Sequence, residues 1–414
     1  MELSKYYSLW QMQPSGEVCN VGALFISAKA NKQINQAIFQ YNPSLVSKEN
    51  AHPLDPINAP LALDKITYPS SGRDLPGFID DCLPDDWGRR IIAHRLKKRF
   101  VDTLTILDNI FEGASIGAIK ITPADMGKPS WYEGIQFDQA KQIADKVWDG
   151  DLSQLTHNEA ELSILVNNGS RVGGARPKLL AYDENGGWVV KFNREKDDFN
   201  HAKLEWACLE VFRRSGFRTA MAQLDTVGYR EVLKVARFDL SPQGGRYHTI
   251  TMNSLLKDPN DQDDPLYARY EDLAEILRKY STKPKEDLEQ LFGQMLINRA
   301  LHNTDDHLRN FSLIQYPDGW RLSPVYDVVP DYTLSSEHQL AVLGSAYLPT
   351  LESTEAVKAG QALGLTRPNS LKIIERIRTV ISTWSDILLE AGLTESELVF
   401  ARKVVIENNH EPPN

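Results

Sequence analysis

The chain has 414 residues, 42% hydrophobic and 25% charged, with a formal net charge of -10. That length suits two or three domains with a real core, and the acidic balance argues against a protein that grips nucleic acid by bulk electrostatics, which takes clustered lysine and arginine. Cys19, Cys82 and Cys208 lie far apart with no C-x-x-C pair, which disfavours a disulfide framework or a zinc site. No apolar run approaches the ~20 residues that cross a bilayer, and the first residues do not read as a signal peptide. A cytoplasmic protein with no membrane partner is expected.

The chain to about residue 125 reads as a small mixed unit. Residues 21–26 and 36–41 are short apolar or alternating runs that suit a hairpin. Residues 42–76, rich in Pro, Asn, Ser and Asp, read as loop. A helix is expected from Asp86 to Phe100, with Ile91, Ile92 and Leu96 on one face. Further on, Gly173-Gly174 precedes two strand-like runs, Lys178–Tyr182 and Trp188–Phe192, linked by the turn signal Asp183-Glu184-Asn185-Gly186-Gly187. Ala202–Ser215 reads as a helix with Gly216 as its C-cap. Two strands follow near Gln223–Tyr229 and Glu231–Phe238.

Beyond about residue 265 helices dominate. Leu288, Leu291, Phe292, Met295, Leu296 and Ala300 mark one helical face that ends near Asn303. A hairpin is predicted from Phe311–Gln315 and Trp320–Ser323, and helices over 354–363, 370–391 and 395–407. The order is β-rich first and helical second. The predicted division is 1–125, 126–240 and 241–414.

The densest chemistry lies in Asn303-Thr304-Asp305-Asp306-His307-Leu308-Arg309-Asn310, a polar loop between an apolar helix and a predicted hairpin. Pro324-Val325-Tyr326-Asp327 follows, where a carboxylate ends an apolar stretch. Phosphoryl transfer asks little of a protein: a carboxylate to orient the attacking hydroxyl, and oxygen ligands for the magnesium ions that bridge the ATP phosphates. Asp305 meets the first need, and Asn310 with Asp327 meets the second. Alone, D-x-x-x-x-N is an ordinary turn or cap pattern; the preceding helix, the predicted hairpin and the terminal Asp327 tip it toward a site. A phosphate also calls for a lysine. Lys191 sits inside an apolar strand, where it either turns inward to pair with Glu205 on the next helix or alternates outward to solvent; both remain open. The glycines before Lys178 permit close approach of backbone N–H groups to phosphates, yet the run is no Walker A loop.

With these residues assembled, the chain resembles the HipA family of bacterial toxin kinases over nearly its whole length. The carriers are the early strands, Leu75-Pro76-Gly77-Phe78, Cys82–Gly88, Gly174-Ala175-Arg176-Pro177-Lys178, Lys191, Arg237-Phe238-Asp239, Asp305-x-His307-x-x-Asn310-Phe311 and Tyr326-Asp327, in the family's order. The D-x-H-x-x-N form is also similar to the catalytic loop of phosphatidylinositol-3-kinase-like enzymes. The resemblance implies an α+β, two-lobed protein-kinase-like fold, with a β-rich N-terminal lobe and a helical C-terminal lobe. It implies a serine/threonine protein kinase using ATP and Mg2+. Asp305 would be the general base, with Asn310 and Asp327 as metal ligands. Lys191 and the loop Gly173, Gly174, Ala175, Arg176 and Lys178 would meet phosphate. Ala236, Arg237 and Phe238 would hold the adenine, and His307, Arg309 and Tyr326 would shape the nucleotide site. Implied partners are a HipB-like DNA-binding antitoxin, DNA only through it, and a protein substrate of the aminoacyl-tRNA synthetase class. Family members often carry an autophosphorylated serine before the phosphate loop. Here that position holds Arg171, and Ser170 lies one residue earlier. Either Ser170 takes the role or this control is absent. Two alternatives compete with a toxin kinase: a weakly catalytic corepressor and a small-molecule kinase.

Overall fold

The computed structural model of the chain describes residues 2–47, 51–62, 65–69, 73–84, 86–110, 114–131, 134–139, 165–166, 178–193, 197, 199–227, 230–256, 268–331, 337–347 and 349–407. It is a mixed α+β structure of two compact units. The first comprises Met1–Val190, Ala236–Asp264 and Ser312–Pro317, and the second Lys191–Val235, Pro265–Phe311 and Asp318–Asn414. Among the described residues no helix is long and apolar enough to cross a membrane.

The first unit is built on strands β1 (Glu2–Met12), β2 (Val18–Lys29) and β3 (Ile34–Tyr41). They form a four-stranded antiparallel sheet in the order β3-β2-β1 followed by the strand Ile119–Pro123. Tyr7 and Leu9 of β1, Leu24 and Ile26 of β2, and Ala37 and Phe39 of β3 are buried, the two-residue period of a sheet with one covered face. The runs expected at 21–26 and 36–41 lie inside β2 and β3. β1 went unread because its first half is exposed and one of its inward residues, Gln11, is polar. The helix expected to reach Phe100 spans Asp86–Arg95, and Lys97, at φ 52°, turns the chain out of it. The strands Lys178–Asp183 and Gly186–Phe192 flank the expected turn, where Gly186 takes φ 131°, open only to glycine.

This unit also holds a sealed ion cluster. Arg237 Nε and Nη2 bond Asp239 Oδ1 and Oδ2 at 3.0 and 2.7 Å, and the Gly117 N–H donates to Asp239 Oδ2 at 2.7 Å. Arg246 Nη1 donates to the carbonyls of Ser115 and Gly117 at 2.6 and 3.1 Å. Burial would raise the Asp239 carboxyl, but the two guanidiniums hold it below the usual carboxylate range.

The second unit is mainly helical. In the helix His201–Arg214, Asn200 caps the start through a bond from the Lys203 N–H, and Gly216, at φ 75°, closes the end. The strands Ala222–Val227 and Arg230–Ala236 pair antiparallel from Ala222↔Val235 to Val227↔Arg230. The helices Tyr270–Tyr280 and Pro284–Ala300 pack around Leu273, Leu277, Leu291, Phe292 and Met295, all fully buried. Gly293 admits the Phe217 ring: a Cβ there would sit 1.9 Å from its Cζ. The helices Glu355–Ala362 and Glu395–Glu407 match expectation. The single helix read over 370–391 is two, Arg367–Ile381 and Trp384–Glu390. The interruption falls at Ser382-Thr383, where the Thr383 hydroxyl bonds the Val380 carbonyl at 2.8 Å.

Candidate active site

The Pro284–Ala300 helix delivers the polar loop. Its C-terminal half is buried on every side, so its end is a fixed point. The chain leaves through His302, at φ 55°, and the Asn303 N–H bonds the Asn298 carbonyl at 2.8 Å. The loop closes on itself further on: Asn310 N–H donates to the His307 carbonyl at 2.9 Å, and Asn310 Nδ2 donates to the Asp305 carbonyl at 2.8 Å. Tyr326 Oη donates to the Arg309 carbonyl at 2.9 Å, which ties the segment carrying Asp327 to the same loop.

Lys191 turns inward. Its Nζ donates to Glu205 Oε1 and to Asp327 Oδ1, each at 2.6 Å. Burial alone would lower the ammonium pKa, but Asp327 and Glu205 more than reverse that and raise it. Of the two dispositions open to Lys191, the structure shows the paired one. Asp327 sits at φ 58°, a left-handed conformation that costs a residue with a Cβ about 1 kcal/mol or more. Such strain persists only where the surroundings impose it, here the Lys191 bond and the Tyr326 tether.

Asp305 faces outward, its side chain 49% exposed. Partial burial first, then the nearby charges of Asp327, Asp306 and Asp331, push its carboxyl up to about 7. His307 Nε2 lies 3.8 Å from Asp305 Oδ1, and burial lowers the imidazole pKa, so the ring is neutral. Both ring nitrogens of His307, and Asn310 Oδ1, are buried without a hydrogen-bond partner among the described residues. A buried acceptor left unmatched costs about 1–3 kcal/mol. An amide oxygen beside a carboxylate is the hard donor set that magnesium prefers. Among the described residues no three His, Cys, Asp or Glu side chains gather as a metal cage. Magnesium shared with phosphates needs only one or two protein oxygens, and Asn310 Oδ1 with Asp327 fits that requirement.

The structure thus brings Lys191, Asp305, His307, Arg309, Asn310, Tyr326 and Asp327 into one unit. Lys178, Ala236, Arg237 and Phe238 belong to the other. The Arg237 guanidinium is committed to Asp239, and its backbone N–H donates to the Gly187 carbonyl at 2.9 Å. Gly173, Gly174, Ala175, Arg176 and Ser170 lie outside the described residues. Sequence reading passed over Asp306, whose carboxylate is fully buried, and its partners Tyr270 and His338. The adjacency of two aspartates was the only signal for them.

Comparison with known proteins bears on the family and the fold. The family model of the HipA-like C-terminal domain matches residues 170–384, and that of the HipA N-terminal domain matches 19–122. Two relatives carry the name "Putative kinase". The one called Y4mE, from Sinorhizobium fredii, is 22% identical, with 86% of this chain and 89% of the relative aligned. The other, from Haemophilus influenzae, is 25% identical over 39% of this chain and 52% of the relative. A solved HipA from Shewanella oneidensis, crystallised with HipB and operator DNA, superposes with a TM-score of 0.65 at 18% identity. That superposition covers 97% of this chain and 96% of the solved one. The fold is therefore α+β, two-lobed and kinase-like.

Proposed function

The chain belongs to the HipA family, whose C-terminal model alone spans more than half of it, and on that footing we propose that it is a Mg-ATP-dependent serine/threonine protein kinase, the toxin of a toxin-antitoxin pair. The observation that carries the reading is the juxtaposition of a buried, unmatched Asn310 Oδ1, a strained Asp327 held by Lys191, and an outward Asp305. Asp305 orients the acceptor hydroxyl and takes its proton, for which a carboxyl near neutrality is well matched. Asn310 and Asp327 hold magnesium, which when bound offsets charge on the phosphates. Lys191, fixed by Glu205, presents its ammonium to the same phosphates. Gly173 to Lys178 form the phosphate loop, and the backbone of Ala236 to Phe238 meets the adenine.

The partner in this reading is a HipB-like DNA-binding antitoxin, as in the Shewanella complex. DNA is reached through that partner, consistent with a net charge of -10. The substrate is a translation protein of the aminoacyl-tRNA synthetase class, and Ser170 is the residue offered for autophosphorylation. Transfer of labelled γ-phosphate tests the reading. Wild-type protein labels itself or a cell-extract protein, and Asp305→Ala and Asp327→Ala do not. Absence of both ATP binding and labelling in the wild type sinks it.

A further inference from the structure

Two aspartates stand side by side in the loop, and they are held in opposite ways. Asp305 is half exposed, while the Asp306 carboxylate has no exposed surface. Burying an ionised carboxylate is costly unless donors surround it. Tyr270 Oη donates to Asp306 Oδ2 at 2.7 Å, the Leu340 N–H donates to Oδ1 at 3.3 Å, and His338 Nδ1 stands 3.4 Å from Oδ2. Burial would raise this carboxyl, but His338, Arg299 and Tyr270 hold it below the usual range, so it is ionised.

These bonds reach segments remote in sequence. Tyr270 opens the Tyr270–Tyr280 helix, and its hydroxyl also accepts from Asn298 Nδ2 at 3.4 Å. The stretch 338–346 is fastened around the same point. The Gln339 N–H bonds the Thr304 carbonyl at 3.1 Å, and Arg299 donates to the carbonyls of Leu340 and Ala346 at 2.7 and 3.1 Å. Thr304 and Asp306, the residues on either side of Asp305, are thus both tied down. A well-packed apolar residue would fill the Asp306 site without desolvating a charge, and such replacements are often neutral or stabilising. What the carboxylate adds is direction. Consecutive side chains in a non-helical stretch project to different sides, so an Asp306 locked inward leaves Asp305 outward.

We propose that Asp306 is a positioning residue that orients Asp305 for phosphoryl transfer by anchoring the catalytic loop to Tyr270 and to the 338–346 stretch. The inference rests on the kinase reading for its catalytic half and on geometry alone for the anchor.

The test uses full-length Asp306→Asn, Tyr270→Phe and the double variant, with two readouts. One is amide hydrogen exchange over 304–310; the other is kcat and KM for ATP in labelled-phosphate transfer. Tyr270→Phe removes a single hydroxyl and guards against a variant that fails to fold. Exchange in the loop is expected to quicken in both single variants while the helix Arg367–Ile381 is unchanged. Because small misplacements of a reacting group are expensive, kcat should fall about ten-fold in Asp306→Asn with KM for ATP little altered. Tyr270→Phe should lose less, and the double variant should be no worse than Asp306→Asn, since the two act as one unit. Unchanged loop exchange overturns the anchor, and wild-type kcat in both folded variants overturns the positioning role. A wild-type protein that transfers no phosphate fails the kinase reading instead, and the exchange result then decides the anchor by itself.

Discussion

Two charge clusters, one sealed in the first unit and one partly exposed in the second, contrast in how completely they are matched. Around Asp239 both carboxylate oxygens are taken up by Arg237 and the Gly117 N–H, and the Arg237–Asp239 pair is at most 2% exposed. Around Asp327 the Lys191–Glu205–Asp327 triad is partly exposed, Asp327 takes left-handed backbone, and the loop tied to it through Tyr326 carries a half-exposed Asp305 and an Asn310 Oδ1 unmatched among the described residues. In the first, every carboxylate oxygen has a donor, and the cluster serves the fold. The second keeps unspent acceptors and strain, and such deficits collect where a ligand completes the structure. Charge alone would not separate them; burial and the count of unmet partners do.

The contrast breaks most sharply at the open cluster. Asp327→Ala should reduce phosphoryl transfer about 10³-fold or more, in line with the loss of a principal charge-stabilising group. Its effect on folding should be small, because the Asp327 side chain is 38% exposed and Lys191 keeps its bond to Glu205. Urea unfolding run beside the transfer assay checks both halves. Asp239→Ala should do the reverse. It strands Arg237 inside the protein, and breaking a buried pair costs about 3–5 kcal/mol. A much lower urea midpoint, with activity per folded molecule retained, is the expected result.

Acid gives the next largest effect and falls on the first unit. His248 is buried, its Nε2 2.8 Å from the Leu54 carbonyl, and burial pushes its pKa down to about 4. The folded state therefore binds fewer protons than the unfolded state between pH 6.5 and 4. Stability should fall by about 3 kcal/mol as pH drops through that window. His248→Gln should flatten the slope.

At the open cluster Asp305 carries the opposite sign. Its carboxyl is raised to about 7, so stability declines slightly as pH rises toward neutrality, while base function is gained. The profile of kcat/KM against pH should rise through about 7, and Asp305→Asn should abolish activity while leaving the urea midpoint at pH 8 equal or higher.

Much of this could be read from the chain. The buried helix, the polar loop and Asp327 stood in the right order, and the spacing of Lys191 and Glu205 allowed the bond now seen at 2.6 Å. The direction of Lys191 could not be read, because strand alternation fixes two faces without naming the buried one. Nor could Asp305 and Asp306 be told apart: the two are chemically identical. What sends one outward is Tyr270, His338 and Leu340, tens of residues away in sequence and adjacent only once the helices pack. β1 escaped notice for a local reason, since only part of it is covered.

The central claim, that Asn310 and Asp327 hold a metal shared with a nucleotide, is tested most directly by calorimetric titration of ATP with and without Mg2+. Mg2+ should strengthen ATP binding to the wild type, and Asn310→Leu and Asp327→Asn should erase this gain while metal-free ATP binding survives. An equal Mg2+ dependence in wild type and both variants would contradict it.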